Sequence, residues 1–160
     1  MKIQLCRNCL HQLYSSNRIL CPVCNDLTIP CSENLVGVVT RLIARGIEVV
    51  SASCDVYDDI TGSRHIGTTV QIQIELGCLY PSAMFDHLPP TWATYVYHAI
   101  VDNQIGPAYT GLCHIDSFLK SDTGECEFAT ALTISNLELW IDSTDAASFY
   151  SVWRLAGVIS

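Results

Sequence analysis

The sequence predicts an α+β fold: a cysteine-rich N-terminal β-hairpin, then an antiparallel sheet packed against two main helices. Three observations carry this. Cys6, Cys9, Cys21 and Cys24 stand as C-R-N-C and C-P-V-C, with eleven residues between the two pairs. Residues 68–78 alternate, with Val70, Ile72, Ile74 and Leu76 facing one way and Thr69, Gln71, Gln73 and Glu75 the other. Leu35, Val38, Val39 and Leu42 recur at helical spacing.

The cysteines come first. Each C-x-x-C can wrap into a tight knuckle that aims two sulfurs at one ion, and two such pairs match the ligand spacing of a single tetrahedral zinc. The intervening residues are expected to form a short hairpin, His11–Tyr14 against Arg18–Leu20, around the turn-prone Ser15-Ser16-Asn17. The expected metal ligands are therefore Cys6, Cys9, Cys21 and Cys24, and the expected cofactor is zinc. Cys31 and His11 lie close enough in sequence to act as substitute ligands. This zinc-knuckle unit is expected to span residues 1–31. Pro30 would punctuate a boundary near 26–32. Residues 32–160 would form an α+β domain able to close its own core.

In that second unit, Ser32 can cap a helix over Glu33–Arg45. Glu33 suits the positive end of its dipole, and Arg41 and Arg45 the negative end. Gly46 ends it. A strand is expected over Ile47–Tyr57, then an acidic loop over Asp58–His65, then the alternating strand Thr68–Cys78. Pro81, Pro89 and Pro90 bracket a loop or short helical turn. Thr91–Val101 is rich in β-branched and aromatic residues and reads as a strand, with a helix as the alternative. Leu112–Lys120 and Glu125–Ile134 read as a hairpin around Ser121-Asp122-Thr123-Gly124. A last helix is expected over Thr144–Ala156, capped by Asp142 or Ser143, burying Phe149, Val152, Trp153 and Ala156.

Residues 1–25 resemble the zinc-ribbon or rubredoxin-like knuckle module, through Cys6-Arg7-Asn8-Cys9 and Cys21-Pro22-Val23-Cys24-Asn25. The resemblance implies that all four cysteines ligate the metal, zinc or, with the same ligands, iron. It also implies left-handed backbone after each second cysteine, where glycine is usual. Asn25 suits that position better than Leu10 does. Modules of this kind serve transcription, translation, enzyme stabilisation and protein docking, so the resemblance implies a metal and not a role.

Other candidates have plainer readings. Cys54, Cys78, Cys113 and Cys126 fall in apolar strand contexts and read as core. Cys113 and His114 are adjacent on an expected strand, so their side chains leave on opposite faces and cannot form a dyad. His114 and Asp116 share a face, and a metal there would need His98, His87 or His65 as third ligand. Asp55, Asp58 and Asp59 are a candidate site for a hard cation if they gather. No glycine-rich phosphate loop, G-x-S-x-G or H-E-x-x-H is present, and no catalytic residue is assigned.

Charge divides unevenly. Residues 1–31 carry Lys2, Arg7 and Arg18 against Asp26, whereas residues 32–160 carry five Lys/Arg against fifteen Asp/Glu, a net −10. Such a body repels phosphate backbones. No apolar run approaches the ~18 residues of a membrane span. No signal-peptide core precedes Cys6, and nine cysteines, an odd number, suit a reducing compartment. The expectation is a small cytoplasmic, non-enzymatic, zinc-binding regulatory or adaptor protein that acts by binding another protein. Viral modulators of host machinery are one form such chains take. Trp92, Tyr95 and Tyr97 are the expected docking patch, unless they lie buried. Two other classes stay open: a nucleic-acid-linked regulator contacting phosphates through Lys2, Arg7 and Arg18, and a small enzyme with a site in the 81–113 region.

Overall fold

A computed structural model describes residues 1–14 and 19–144. Among these residues, seven strands and two α-helices follow one another as β1 (Lys2–Cys6), β2 (Gln12–Leu13), β3 (Thr28–Ser32), α1 (Val36–Ala44), β4 (Val49–Thr61), β5 (Arg64–Leu76), β6 (Trp92–Val101), β7 (Gln104–Leu119) and α2 (Cys126–Ser143). Short 3₁₀ turns lead into α1 and α2, and another spans Ser82–Phe85. The strands make one sheet in the order β2-β1-β3-β4-β5-β7-β6. The fold is α+β and the sheet is antiparallel except at one place. There β3 and β4 run parallel, with Cys31 opposite Ala52, because α1 carries the chain across between them.

Alternation decides which side of the sheet is covered. Ile74 lies opposite Ala52 on one flank and Leu112 on the other, and Ile72 lies opposite Cys54 and His114. Residues opposite one another share a face. That face carries Ile3, Leu5, Ile29, Cys31, Val70, Ile72, Ile74, Leu76 and Leu112, all buried. Helix α1 adds Val38, Val39 and Leu42, and the turn before it adds Leu35. Helix α2 adds Ile134, Leu137 and Ile141. Each such side chain contributes about 1.5–3 kcal/mol by leaving water. Arg41 of α1 reaches Glu138 at 3.4 Å and Asp142 at 3.1 Å on α2, so the helices meet along one seam. The opposite face of the sheet carries Ser51, Ser53, Gln71, Gln73 and Glu75 and stays half-exposed.

Several expectations need correction. Glu125–Ile134 is not a strand: it enters α2, whose buried positions Cys126, Thr133, Ile134, Leu137 and Ile141 follow helical spacing. The pattern is hidden because Phe128, Leu132 and Leu139 are also apolar but point outward. Asp142 and Ser143 lie in the last turn of α2, and Thr144 ends that helix with extended backbone. Residues 145–156, where the last helix was expected, lie outside the described residues. So do residues 15–18, the expected hairpin turn 15–17 and the first residue of the strand after it. Gln12–Leu13 pairs instead with β1, Leu13 opposite Gln4.

The acidic stretch Asp58–His65 is not a loop. Strand β4 runs through Asp59 and the β-branched Ile60 and Thr61, and Thr61 pairs with Arg64 across Gly62-Ser63. Gly62, at φ 65°, supplies the left-handed turn residue. Ser32 precedes the 3₁₀ turn but does not cap it; its Oγ accepts the Cys54 backbone N–H at 2.9 Å. Pro30, expected as punctuation, lies within β3, opposite Gln4 of β1.

Candidate metal centre

Both knuckles are built by the same backbone pattern. In the first, Cys6 N–H donates to the His11 carbonyl at 2.9 Å and Leu10 N–H to the Cys6 carbonyl at 3.1 Å. In the second, Cys21 N–H donates to Asp26 at 2.8 Å and Asn25 N–H to Cys21 at 2.9 Å. This tight return requires left-handed backbone at the fifth residue. Leu10 adopts φ 61° and Asn25 φ 60°. Asn tolerates that region; Leu does not do so readily. The strain at Leu10 is offset by packing, since its side chain rests against the hydrophobic core.

The turns bring the four sulfurs together. Cys6 Sγ lies 3.4 Å from Cys24 Sγ and Cys9 Sγ 3.5 Å from Cys21 Sγ, and all four sulfurs lie within 4.8 Å of one another. Metal–sulfur bonds of ~2.3 Å in a tetrahedron require sulfurs ~3.8 Å apart, which this cluster matches. Backbone N–H groups point at the sulfurs: Asn8 and Cys9 toward Cys6, and Val23 toward Cys21, each at 3.4 Å. Such donors favour thiolate over thiol. The Asp26 backbone N–H, then the hydrogen bond to Cys6, holds Cys24 down to about 7. Burial works to raise Cys21, but the Cys24 and Val23 N–H groups outweigh it and the thiol ends below its ordinary value. At Cys9 the His11 N–H pulls downward, yet burial and the bonds to Cys21, Cys6 and Cys24 win and push it up to about 12. Cys9 is thus pushed up while Cys21 and Cys24 are held down, a conflict among neighbouring thiols. A bound divalent cation removes that conflict.

The substitute ligands stay out. Cys31 is buried in the sheet between β1 and β4, donates to the Ser32 carbonyl at 3.2 Å, and is pushed up to about 12 by burial. The His11 side chain is exposed, and its backbone serves the knuckle instead, the carbonyl accepting from Cys6 and the N–H pointing at Cys9. Among the described residues, the four cysteines are the only group of three or more metal-ligating side chains brought together.

The remaining candidates separate. Asp55 and Asp59 face the open side of the sheet and Asp58 the covered side, because β4 alternates. Each has its own partner: Lys2 at 3.2 Å, Thr69 Oγ1 at 2.9 Å and His65 at 3.5 Å respectively. His114 is buried against the Trp92 ring, 5.5 Å between centroids, while Asp116 on the same face is exposed. Cys126 is buried, but on α2 rather than a strand. Cys54 and Cys78 pack half-buried against the core, and Cys113 is half-buried on the open face. Trp92 is only 7% exposed and donates its Nε1–H to the Thr133 carbonyl at 3.1 Å. Tyr95 and Tyr97 lie half-buried on the open face, so the expected aromatic patch divides.

The sequence reading missed what surrounds the cluster. Ile19 and Val23 are 70% and 67% exposed, and Leu20 and Leu27 are also exposed. These apolar residues bracket the second knuckle at positions where turns usually carry polar side chains, and that was the available signal. No protein-family model matches the chain, and no curated protein or solved structure matches it. No helix among the described residues is long and apolar enough to cross a membrane.

Proposed function

We propose that the cluster holds one zinc ion and that the protein is a small cytoplasmic regulatory or adaptor protein that works by binding another protein. The observation that carries this is the closed sulfur quartet beside an exposed apolar rim. Four thiolates complete a tetrahedral shell and leave no position for water or substrate, so the metal's part is to hold shape. The shape it holds presents Ile19, Leu20, Val23 and Leu27 to solvent, and rigid exposed apolar groups are what protein partners bury.

The same surroundings weaken the nucleic-acid reading. Lys2 is engaged by Asp55 at 3.2 Å and Arg7 by Asp26 at 3.0 Å. A phosphate would have to displace those carboxylates and approach a chain of net charge −8. The test is affinity capture from a cytosolic lysate with the wild-type chain and with Val23→Asp. A stoichiometric partner retained by the first and lost by the second supports the reading. Recovery that disappears with nuclease treatment refutes it.

A further inference from the structure

Among the described residues, strand β6 forms one end of the sheet, with β7 on its inner side and no strand on its outer side. Its ten residues, W-A-T-Y-V-Y-H-A-I-V, include no proline and no Asp, Glu, Lys or Arg. From Trp92 to His98 it pairs with β7 in unbroken register, and a bulge follows between His98 and Ile100. In an antiparallel pair every second residue of an edge strand turns its N–H and C=O outward. Among the described residues, no backbone group of 93–101 bonds outside the ladder with β7. Edge strands are usually guarded by charges, proline or a cover. Here the regular stretch has no charge or proline, the described residues place no cover on it, and Val96 is 61% exposed at its middle.

Backbone donors and acceptors in a row are satisfied by another strand, and the side chains say which one. We infer that β6 pairs antiparallel with β6 of a second copy of this chain, about a two-fold axis at Val96. That register sets Tyr95 opposite the second copy's Tyr97 on the open face, and Val96 opposite Val96 on the other. Within one chain the rings of Tyr95, Tyr97 and Tyr109 already form a row, with centroids 6.1 and 5.7 Å apart. The ring of Tyr95 lies over Gly111, where an added Cβ would come within 2.3 Å of it. The pairing extends the row across the two-fold, and aromatic cross-strand pairs stabilise sheets. The uncharged edge also lets two chains of net charge −8 meet without placing like charges opposite one another. This inference goes beyond the adaptor reading and does not depend on it.

Sedimentation equilibrium of the full chain, over about 1–300 µM, spans the weak range of small interfaces. The wild type is expected to dimerise, several-fold more tightly in about 0.5 M salt than in about 0.05 M, because salt screens the repulsion between acidic bodies. Val96→Lys places two cations opposite each other and is expected to weaken the dimer by about tenfold or more, while Val96→Thr keeps it. Unchanged circular dichroism and metal content would show that the lysine variant is folded. Amide exchange gives a second reading: protection of residues 93–98 in the wild type should rise with protein concentration. A wild type that stays monomeric throughout overturns the inference and leaves the edge to a strand of some other protein. A Val96→Lys chain that dimerises as well as the wild type also overturns it, and moves the contact elsewhere, for example to Phe128, Leu132 and Leu139 on α2.

Discussion

Leu5→Ala tests whether the cysteine knuckles and the helices share one core. Leu5 belongs to β1, next to the metal cluster, yet it is fully buried and lies in the same apolar cluster as Leu42 of α1 and Leu137 of α2. Truncating a buried leucine costs about 2–5 kcal/mol through lost transfer energy and the cavity left behind. In a chain of this length each kcal/mol moves the thermal midpoint by about 2–4 °C, so ~3 kcal/mol predicts a fall of about 6–12 °C. The assay is intrinsic fluorescence. All three tryptophans, Trp92, Trp140 and Trp153, lie beyond residue 32, so the signal reports only the part of the chain after the knuckles. One transition, shifted by that amount, is expected. A tryptophan midpoint that does not move, or a separate earlier transition seen by far-UV circular dichroism, would show that residues 32–160 hold themselves together, and the single-core reasoning would be wrong.

The other predictions concern the metal and the charge. Cys21→Ser should lose the metal and lower the same tryptophan midpoint, as a chelator should in the wild type; an unchanged midpoint on metal loss would uncouple the knuckles from the core. Zinc addition to metal-free protein near pH 8 should release fewer than four protons, because Cys24, held near 7, is already largely ionised and Cys21 is also lowered. As pH falls through about 7, Cys24 regains its proton, so the number released should rise and zinc affinity should fall; indicator-dye titration reads the first, and a constant count across pH would contradict the assignment. Duplex DNA and single-stranded RNA should not be retained at physiological salt in a gel-shift or anisotropy assay, and sub-micromolar binding with a steep salt slope would revive the nucleic-acid reading.

What could be read from the chain alone was what is local in it. The knuckles were legible because their ligands and turns lie within a few residues, down to the left-handed Asn25. Helix α1 and strand β5 were legible because each has one apolar side and one polar side, so the period shows. Helix α2 was not, since Phe128, Leu132 and Leu139 place apolar side chains on its outer surface and blur the period. The hidden candidates failed for a similar reason. Asp55, Asp58 and Asp59 look like a cluster in sequence, but a strand through them sends neighbours to opposite faces. The joining of β1 and β3 to the main sheet was out of reach as well. It rests on a pairing between Cys31 and Ala52 across α1, and no short-range pattern announces such a contact.

The central claim is that four cysteines of this chain close around one zinc ion. X-ray absorption at the zinc edge, on protein purified without added metal and paired with elemental analysis, tests it most directly. The account predicts one zinc per chain with four sulfur neighbours at ~2.3 Å and no nitrogen or oxygen in the first shell. A folded chain free of zinc, or a zinc shell that includes nitrogen or oxygen, would contradict it.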